Sequence, residues 1–332
     1  MRLPSVQPAF PAVIRRGAEI RAAILLAASL LLPVLANASA DTFALAPDTQ
    51  IVGAVSTVTA SHEQTLTDIA RIQGLGYEEI VWANPGVDVW LPGDGTSVTL
   101  PKRFILPGTQ RDGVVVNIAE YRLYYYFRSN GRQMVSTFPI SIGRMDWSTP
   151  IGRWRVVAKQ KDPTWYPPES IRKEHLEDGR GFLDKVVPPG PDNPLGKFAM
   201  RLSVPGYLIH GTNRPVGVGM QVTHGCIRMY PEDIASLFPE VPVNTPVTIM
   251  NLPYKFGWSG DDLYLEVNPP LEDDHLTRDR EMTALMEQYV QATRDRPARV
   301  DWQAVEEAYR RKDGIPVRIG SGMAMEQSTA AN

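Results

Sequence analysis

One cysteine stands in the 332 residues, and two of the five histidines lie within sixteen positions of it. The stretch reads His210-Gly211-Thr212-Asn213, then Thr223-His224-Gly225-Cys226-Ile227-Arg228. A thiol becomes a nucleophile when a nearby base takes its proton and a third group orients that base. His210 falls at the end of a predicted strand over 207–210, a rigid place from which to serve Cys226 on the loop beyond. Gly225 lets that loop adopt backbone geometry other residues resist, so nearby amides can aim at a developing oxyanion. Arg228 puts a fixed positive charge two residues on, where it can favour the thiolate or hold a substrate carboxylate.

Plainer roles exist for each residue: a buried apolar thiol, a satisfied core histidine, a loop hydrogen-bonder, a surface ion-pair partner. Cysteine with two histidines is also a zinc ligand set. Against zinc, the chain has no His-Glu-x-x-His or paired-cysteine spacing, and a hydrolytic zinc site would also want a general base.

The elements that must position these residues read as strands. Residues 114–118 and 121–127 alternate or run apolar, and Asn130-Gly131 is a strong hairpin turn before 134–142. Further strands are predicted over 154–158, 207–210 and 247–250. Pro231-Glu232-Asp233 opens a short helix whose Ile234, Leu237 and Phe238 face inward, and Pro239 is expected to end it. Between 159 and 197 the chain is rich in proline, and a loop that long is functional or disordered. Trp165 and Tyr166 point to a packed lid. The fold class is therefore mainly β, with few helices in the catalytic segment.

That segment spans 111–252. Before it, 41–101 reads as a small α/β module: a strand over 50–58, a helix opened by the capping box Thr65-Leu66-Thr67-Asp68, a second helix stopped at Asn84-Pro85, and a strand over 97–100. Residues 102–110 form a linker. The extension 253–332 turns polar, then carries an amphipathic helix on Met282, Leu285, Met286, Tyr289 and Val290 and a second over 301–309. Its tail from Ser321 is expected to be disordered. Residues 1–40 read as an export signal: Arg15, Arg16 and Arg21 precede an apolar run over 22–35 that ends in Ala38-Ser39-Ala40. Cleavage there removes Arg2, Arg15, Arg16, Arg21 and Glu19 from the 34 basic and 37 acidic residues, leaving 30 against 36, a net of −6. A chain this acidic is a poor nucleic-acid binder. Export also makes the lone Cys226 informative, since it has no internal disulfide partner.

Residues Thr65-Leu66-Thr67-Asp68-Ile69-Ala70, with Ala83-Asn84-Pro85-Gly86 and Leu91-Pro92-Gly93, resemble the glycan-binding LysM module, although Glu63-Gln64 stands where many members carry Gly-Asp. Tyr207-Leu208-Ile209-His210-Gly211-Thr212-Asn213, followed by Thr223-His224-Gly225-Cys226-Ile227-Arg228, resembles the L,D-transpeptidase catalytic family. It is similar to the LysM-containing enterobacterial branch that attaches lipoprotein to peptidoglycan or forms direct cross-links. The resemblance implies Cys226 as nucleophile, His210 as base, His224 as the second motif histidine, and oxyanion amides at His224, Gly225 or Cys226. It assigns substrate contacts to Arg228, Gly211 and Thr223. Many members have Ser at Gly211, where this chain leaves only a backbone carbonyl to orient His210, and Asn at Arg228. The implied reaction needs no metal or organic cofactor. Its partners are peptidoglycan stem peptides and glycan, with an outer-membrane lipoprotein as an acceptor, and its place is the periplasm. A non-catalytic wall-binding protein and a cysteine peptidase or amidase are the competing functions.

Overall fold

The first module is made of short pieces because each strand finds a different partner. The computed structural model describes residues 41–144, 147–271, 274 and 277–323, so the expected export signal lies outside the described residues. Strand β1 (Asp41–Leu45) leads to β2 (Ile51–Gly53) and β3 (Ser56–Thr59), which split the single strand expected over 50–58. Gly53 causes the split: it sits at φ +74°, with the Lys102 carbonyl where a Cβ would be. Helix α1 (Leu66–Ile72) is capped by Thr65, whose hydroxyl accepts from the Asp68 amide while the Asp68 carboxylate accepts from the Thr65 amide. After α2 (Tyr77–Ala83) come β4 (Ser97–Leu100), which pairs with β3, and β5 (Arg103–Ile105), which pairs with β2. The expected linker over 102–110 thus begins with a paired strand.

The middle of the chain closes a sheet on itself. Strands β6 (Gly113–Asn117) and β7 (Arg122–Ser129) pair antiparallel, and Asn130 and Gly131, at φ 49° and 76°, turn the chain into β8 (Arg132–Gly143). Two positive-φ residues give a tight turn that matches strand twist, which Asn-Gly accepts at low cost. There follow β9 (Gly152–Lys161), helix α3 (Glu169–Glu177), β10 (Phe198–Leu202), β11 (Leu208–His210), β12 (Gln221–Thr223), β13 (Ile227–Met229), helix α4 (Pro231–Glu240) and β14 (Pro246–Met250). The order β8-β13-β11-β10-β9-β14-β6-β7 returns to β8, with β1 and β12 paired to β8 outside the ring. Val116, Leu123, Ile140, Ile209, Ile227 and Val247 fill the interior, and α4 packs Ile234 and Leu237 into the same core. Burial of each of those two is worth about 1.5–3 kcal/mol. Pro239 lies inside the last turn of α4 and does not end it earlier.

The first module is fastened to this barrel. Strand β1 pairs with β8, and the Tyr77 and Glu78 amides donate to the Val218 and Gly219 carbonyls at 3.0 and 3.2 Å. Fully buried Arg122 makes two hydrogen bonds to Glu79, at 2.6 and 2.9 Å, and Arg71 pairs with Glu232 at 2.7 Å. A bidentate guanidinium fits this buried role better than an ammonium would.

Beyond residue 253 both expected helices are present, together with a four-stranded sheet that was not expected. Strands β15 (Tyr254–Ser259), β16 (Asp262–Val267), β17 (Ala298–Val300) and β18 (Val317–Gly322) lie in the order β15-β16-β18-β17, flanked by α5 (Arg278–Thr293) and α6 (Trp302–Arg311). In β15, Tyr254, Phe256 and Trp258 recur at every second residue, and Tyr254 and Trp258 pair against Val267 and Leu263. Ser321 and Gly322, placed in the expected tail, belong to β18; residues 324–332 lie outside the described residues.

Candidate active site

The site is organised by one pair of parallel strands. Ile209 pairs with Ile227 and His210 with Arg228. Ile209 and Ile227 point into the barrel core. Because successive side chains alternate across a strand, His210 and Arg228 share the opposite face, and Cys226 stands at the foot of β13, two residues before Arg228. The strand pair therefore brings together the three residues that the spacing singled out.

His210 is 5% exposed, and its Nδ1 lies 2.6 Å from the Gly211 carbonyl oxygen. A carbonyl only accepts, so Nδ1 carries the hydrogen and Nε2 presents its lone pair, as a base requires. Burial, reinforced by the positive charge of Arg228, pushes the imidazole pKa down to about 3, against the raising effect of the Gly211 carbonyl. The resting imidazole is neutral. Burial likewise raises the Cys226 thiol above its ordinary value, despite the opposing Leu208 amide and Arg228. The resting site is thus a neutral thiol beside a neutral base, with Arg228 opposing the effect of burial on the thiol. Sγ contacts the Gly206 carbonyl at 3.7 Å, and among the described residues no hydrogen bond joins it to the imidazole. Such catalytic contacts commonly tighten only with substrate bound.

The nucleophile loop is built around Gly225, at φ +91°, where a Cβ would meet the Tyr207 ring at 2.6 Å. Its carbonyl accepts from Thr149 Oγ1 at 3.0 Å, and Thr149 Oγ1 in turn accepts from the Gly143 amide at 2.9 Å. Thr223 Oγ1 donates to the Cys226 carbonyl at 2.6 Å. With both carbonyls held, the orientation of the loop is fixed, and with it the direction of its amides toward an oxyanion. Thr223 and Gly211 both have partners within the site: the Thr223 hydroxyl shapes the loop, and the Gly211 carbonyl orients His210.

Arg228 is half-buried, its Nε has no partner, and among the described residues no carboxylate pairs with it. Burial, then Arg214, push its guanidinium below the ordinary value, while Cys226 opposes them. Such a cation is a ready receptor for an anionic group. His224 turns elsewhere: its Nε2 lies 2.9 Å from Glu174 Oε2 on α3, and the Trp147 ring meets it edge-on at 5.3 Å. Cys226, His210 and His224 do not converge, and among the described residues no three metal-ligating side chains form a cluster.

Sequence reasoning missed Thr149, Tyr207 as the wall against Gly225, and Glu174. Thr149 and Glu174 stand far from the motif in sequence, and α3 has no buried residue whose periodicity would have announced it. The proline-rich stretch does hold itself together: Trp165 bridges to Val187, and buried Asn193 donates to the Pro163, Val187 and Pro188 carbonyls. Tyr166, expected to pack in the lid, is 68% exposed.

Comparison with known proteins identifies the family. The L,D-transpeptidase catalytic domain family (YkuD) matches residues 111–249. The probable L,D-transpeptidase ErfK/SrfK of Salmonella typhimurium is 37% identical over 85% of this chain and 92% of its own length. The probable L,D-transpeptidase YbiS of Escherichia coli K12 is 38% identical over 85% of this chain and 93% of its own length. Among solved structures, the catalytic domain of the E. faecium L,D-transpeptidase aligns with 43% of this chain and 99% of its own, at 21% identity and a TM-score of 0.32.

Proposed function

The chain belongs to the L,D-transpeptidase family, and from that premise we propose how its residues carry out the reaction on peptidoglycan. Cys226 Sγ attacks the carbonyl that joins meso-diaminopimelate to the terminal D-alanine of a tetrapeptide stem. His210 Nε2 takes the thiol proton as the carbon–sulfur bond forms, because both groups start neutral. Amides of the His224, Gly225 and Cys226 loop receive the oxyanion. The carbon–nitrogen bond breaks as the imidazolium returns its proton to the departing D-alanine amine, leaving a thioester. An incoming amine then gives a proton to His210, attacks the thioester and restores the thiol. Arg228 binds a stem-peptide carboxylate.

The observation that carries this reading is Cys226 at the foot of β13, beside the strand face shared by His210 and an unpaired Arg228, with the imidazole held by Gly211 in the base tautomer. The acceptor amine is a lipoprotein lysine or a second diaminopimelate. The module over 41–101 binds glycan; exposed Trp90 and Leu91, beside the start of α1, support this as a stacking surface. Cleavage after Ala40 delivers the enzyme to the periplasm. Incubation with a disaccharide tetrapeptide, with and without an amine acceptor, tests the reaction. Release of D-alanine with formation of the amide product supports transfer; release with the free acid alone supports a hydrolase; neither product supports a wall-binding protein.

A further inference from the structure

Helix α3 is held in place by charge. None of its nine residues is buried, so no apolar face seats it on the barrel. Its excursion leaves the Trp165–Val187 bridge and carries Leu176 outward at 60% exposure. The contact with the nucleophile loop runs through Glu174. One carboxylate oxygen accepts from His224 Nε2 at 2.9 Å, and the other from Arg144 Nη2 at 2.5 Å, with Arg180 of the same excursion at 3.7 Å. Arg144 is itself part of the loop scaffold, since its amide donates to the Thr223 carbonyl at 3.0 Å. His224 is thereby clamped between Glu174 and the Trp147 ring, two residues before Cys226.

We propose that Glu174 is a positioning residue that docks α3 on the nucleophile loop through His224 and Arg144, keeping water from the acyl-enzyme until an amine arrives. The inference rests on the reading of Cys226 as the acylated group. Both fates of the thioester return the Cys226 thiol: an amine yields the amide and water yields the free acid. A docked α3 matters to the balance because a closed site protects reactive intermediates from hydrolysis. A residue needed only for folding would lower both products together.

The test is the ratio of free acid to amide product for the full chain, with wild type, Glu174→Ala, Glu174→Gln and His224→Ala, plus the Glu174→Ala/His224→Ala double variant. Loss of a charge-assisted contact predicts a shift of roughly tenfold toward the acid in Glu174→Ala. Glu174→Gln, which keeps a hydrogen bond to His224, should shift less. Since the two residues act as one unit, the double variant should be no worse than the more impaired single variant. An unchanged ratio in folded Glu174→Ala, or losses that multiply in the double variant, overturns the proposal. If Glu174→Ala does not fold, the ratios in Glu174→Gln and Arg144→Gln decide on the same criteria. A wild type that acylates normally while the ratios stay fixed sinks only this inference; a wild type that forms no acyl-enzyme sinks the functional reading beneath it.

Discussion

At the scale of single residues, the chemistry depends on which groups are charged before substrate arrives. Cys226 and His210 are both neutral at rest, so alkylation of Cys226 by a small neutral reagent should climb with pH and reach its plateau above the ordinary cysteine range. A plateau near neutrality would mean a standing thiolate and contradict the proton-transfer step. Arg228→Ala should lower kcat/KM by about 1.5–3 kcal/mol, roughly tenfold to a hundredfold, and Arg228→Lys by less. Alkylation then separates its roles: impaired transfer with normal alkylation means carboxylate binding, and matching losses mean thiolate support. Cys226, His210 and Arg228 could be singled out in the sequence because two short stretches, 207–213 and 223–228, carry them close together. The protonation states were not, since they follow from burial, which spacing does not encode. Thr223 was legible as a member of the motif but not as a brace for the Cys226 carbonyl, because that role depends on a fold of the loop.

At the scale of elements, α4 carries an unused titratable group. Asp233 is 3% exposed, one of its carboxylate oxygens has no partner, and burial, then the neighbouring Glu232, raise its pKa to about 8 despite Arg122 and Arg71. The folded protein therefore keeps a proton that the unfolded chain releases above about pH 4. This contribution to stability is full below about pH 4, is lost as pH rises toward 8, and changes no further above it. Asp233→Asn should flatten that dependence, with a gain at about pH 8.5 bounded on the order of 5 kcal/mol. Denaturant midpoints at acid and alkaline pH measure it, and parallel curves for the two proteins would refute it. The helix itself was legible from Pro231, Ile234 and Leu237. Strands β12 and β13 were not, because three residues hold too little periodicity to distinguish a strand from a loop. Helix α3 escaped for the opposite reason: its seat is polar, and apolar periodicity is the signal that sequence reading uses.

At the scale of the whole molecule, buried ion pairs join pieces that the sequence presented as separate. Glu79–Arg122 ties the first module to the barrel, and Lys255 meets Glu120 at 2.6 Å and Glu266 at 2.8 Å where the barrel joins the C-terminal sheet. Removing one partner of a buried pair costs about 3–5 kcal/mol, whereas a well-packed apolar replacement of both is near neutral. Arg122→Met should therefore destabilise module and barrel together in one cooperative transition, and two separated transitions would contradict the coupling. The β-rich architecture was legible from strand patterns and the Asn130-Gly131 turn. The closure of the barrel and the sheet beyond residue 253 were not, because long-range pairing and charged buried partners leave no local periodicity. The central claim is that these elements converge to make Cys226 an acyl carrier. Intact-mass analysis of the protein quenched in acid during turnover of a disaccharide tetrapeptide, followed by peptide mapping, tests it most directly. One adduct is expected, the substrate less D-alanine, on the peptide that contains Cys226, absent in Cys226→Ala and much slower to form in His210→Ala. D-alanine released at the wild-type rate by folded Cys226→Ala, or an adduct mapped to another residue, would contradict it.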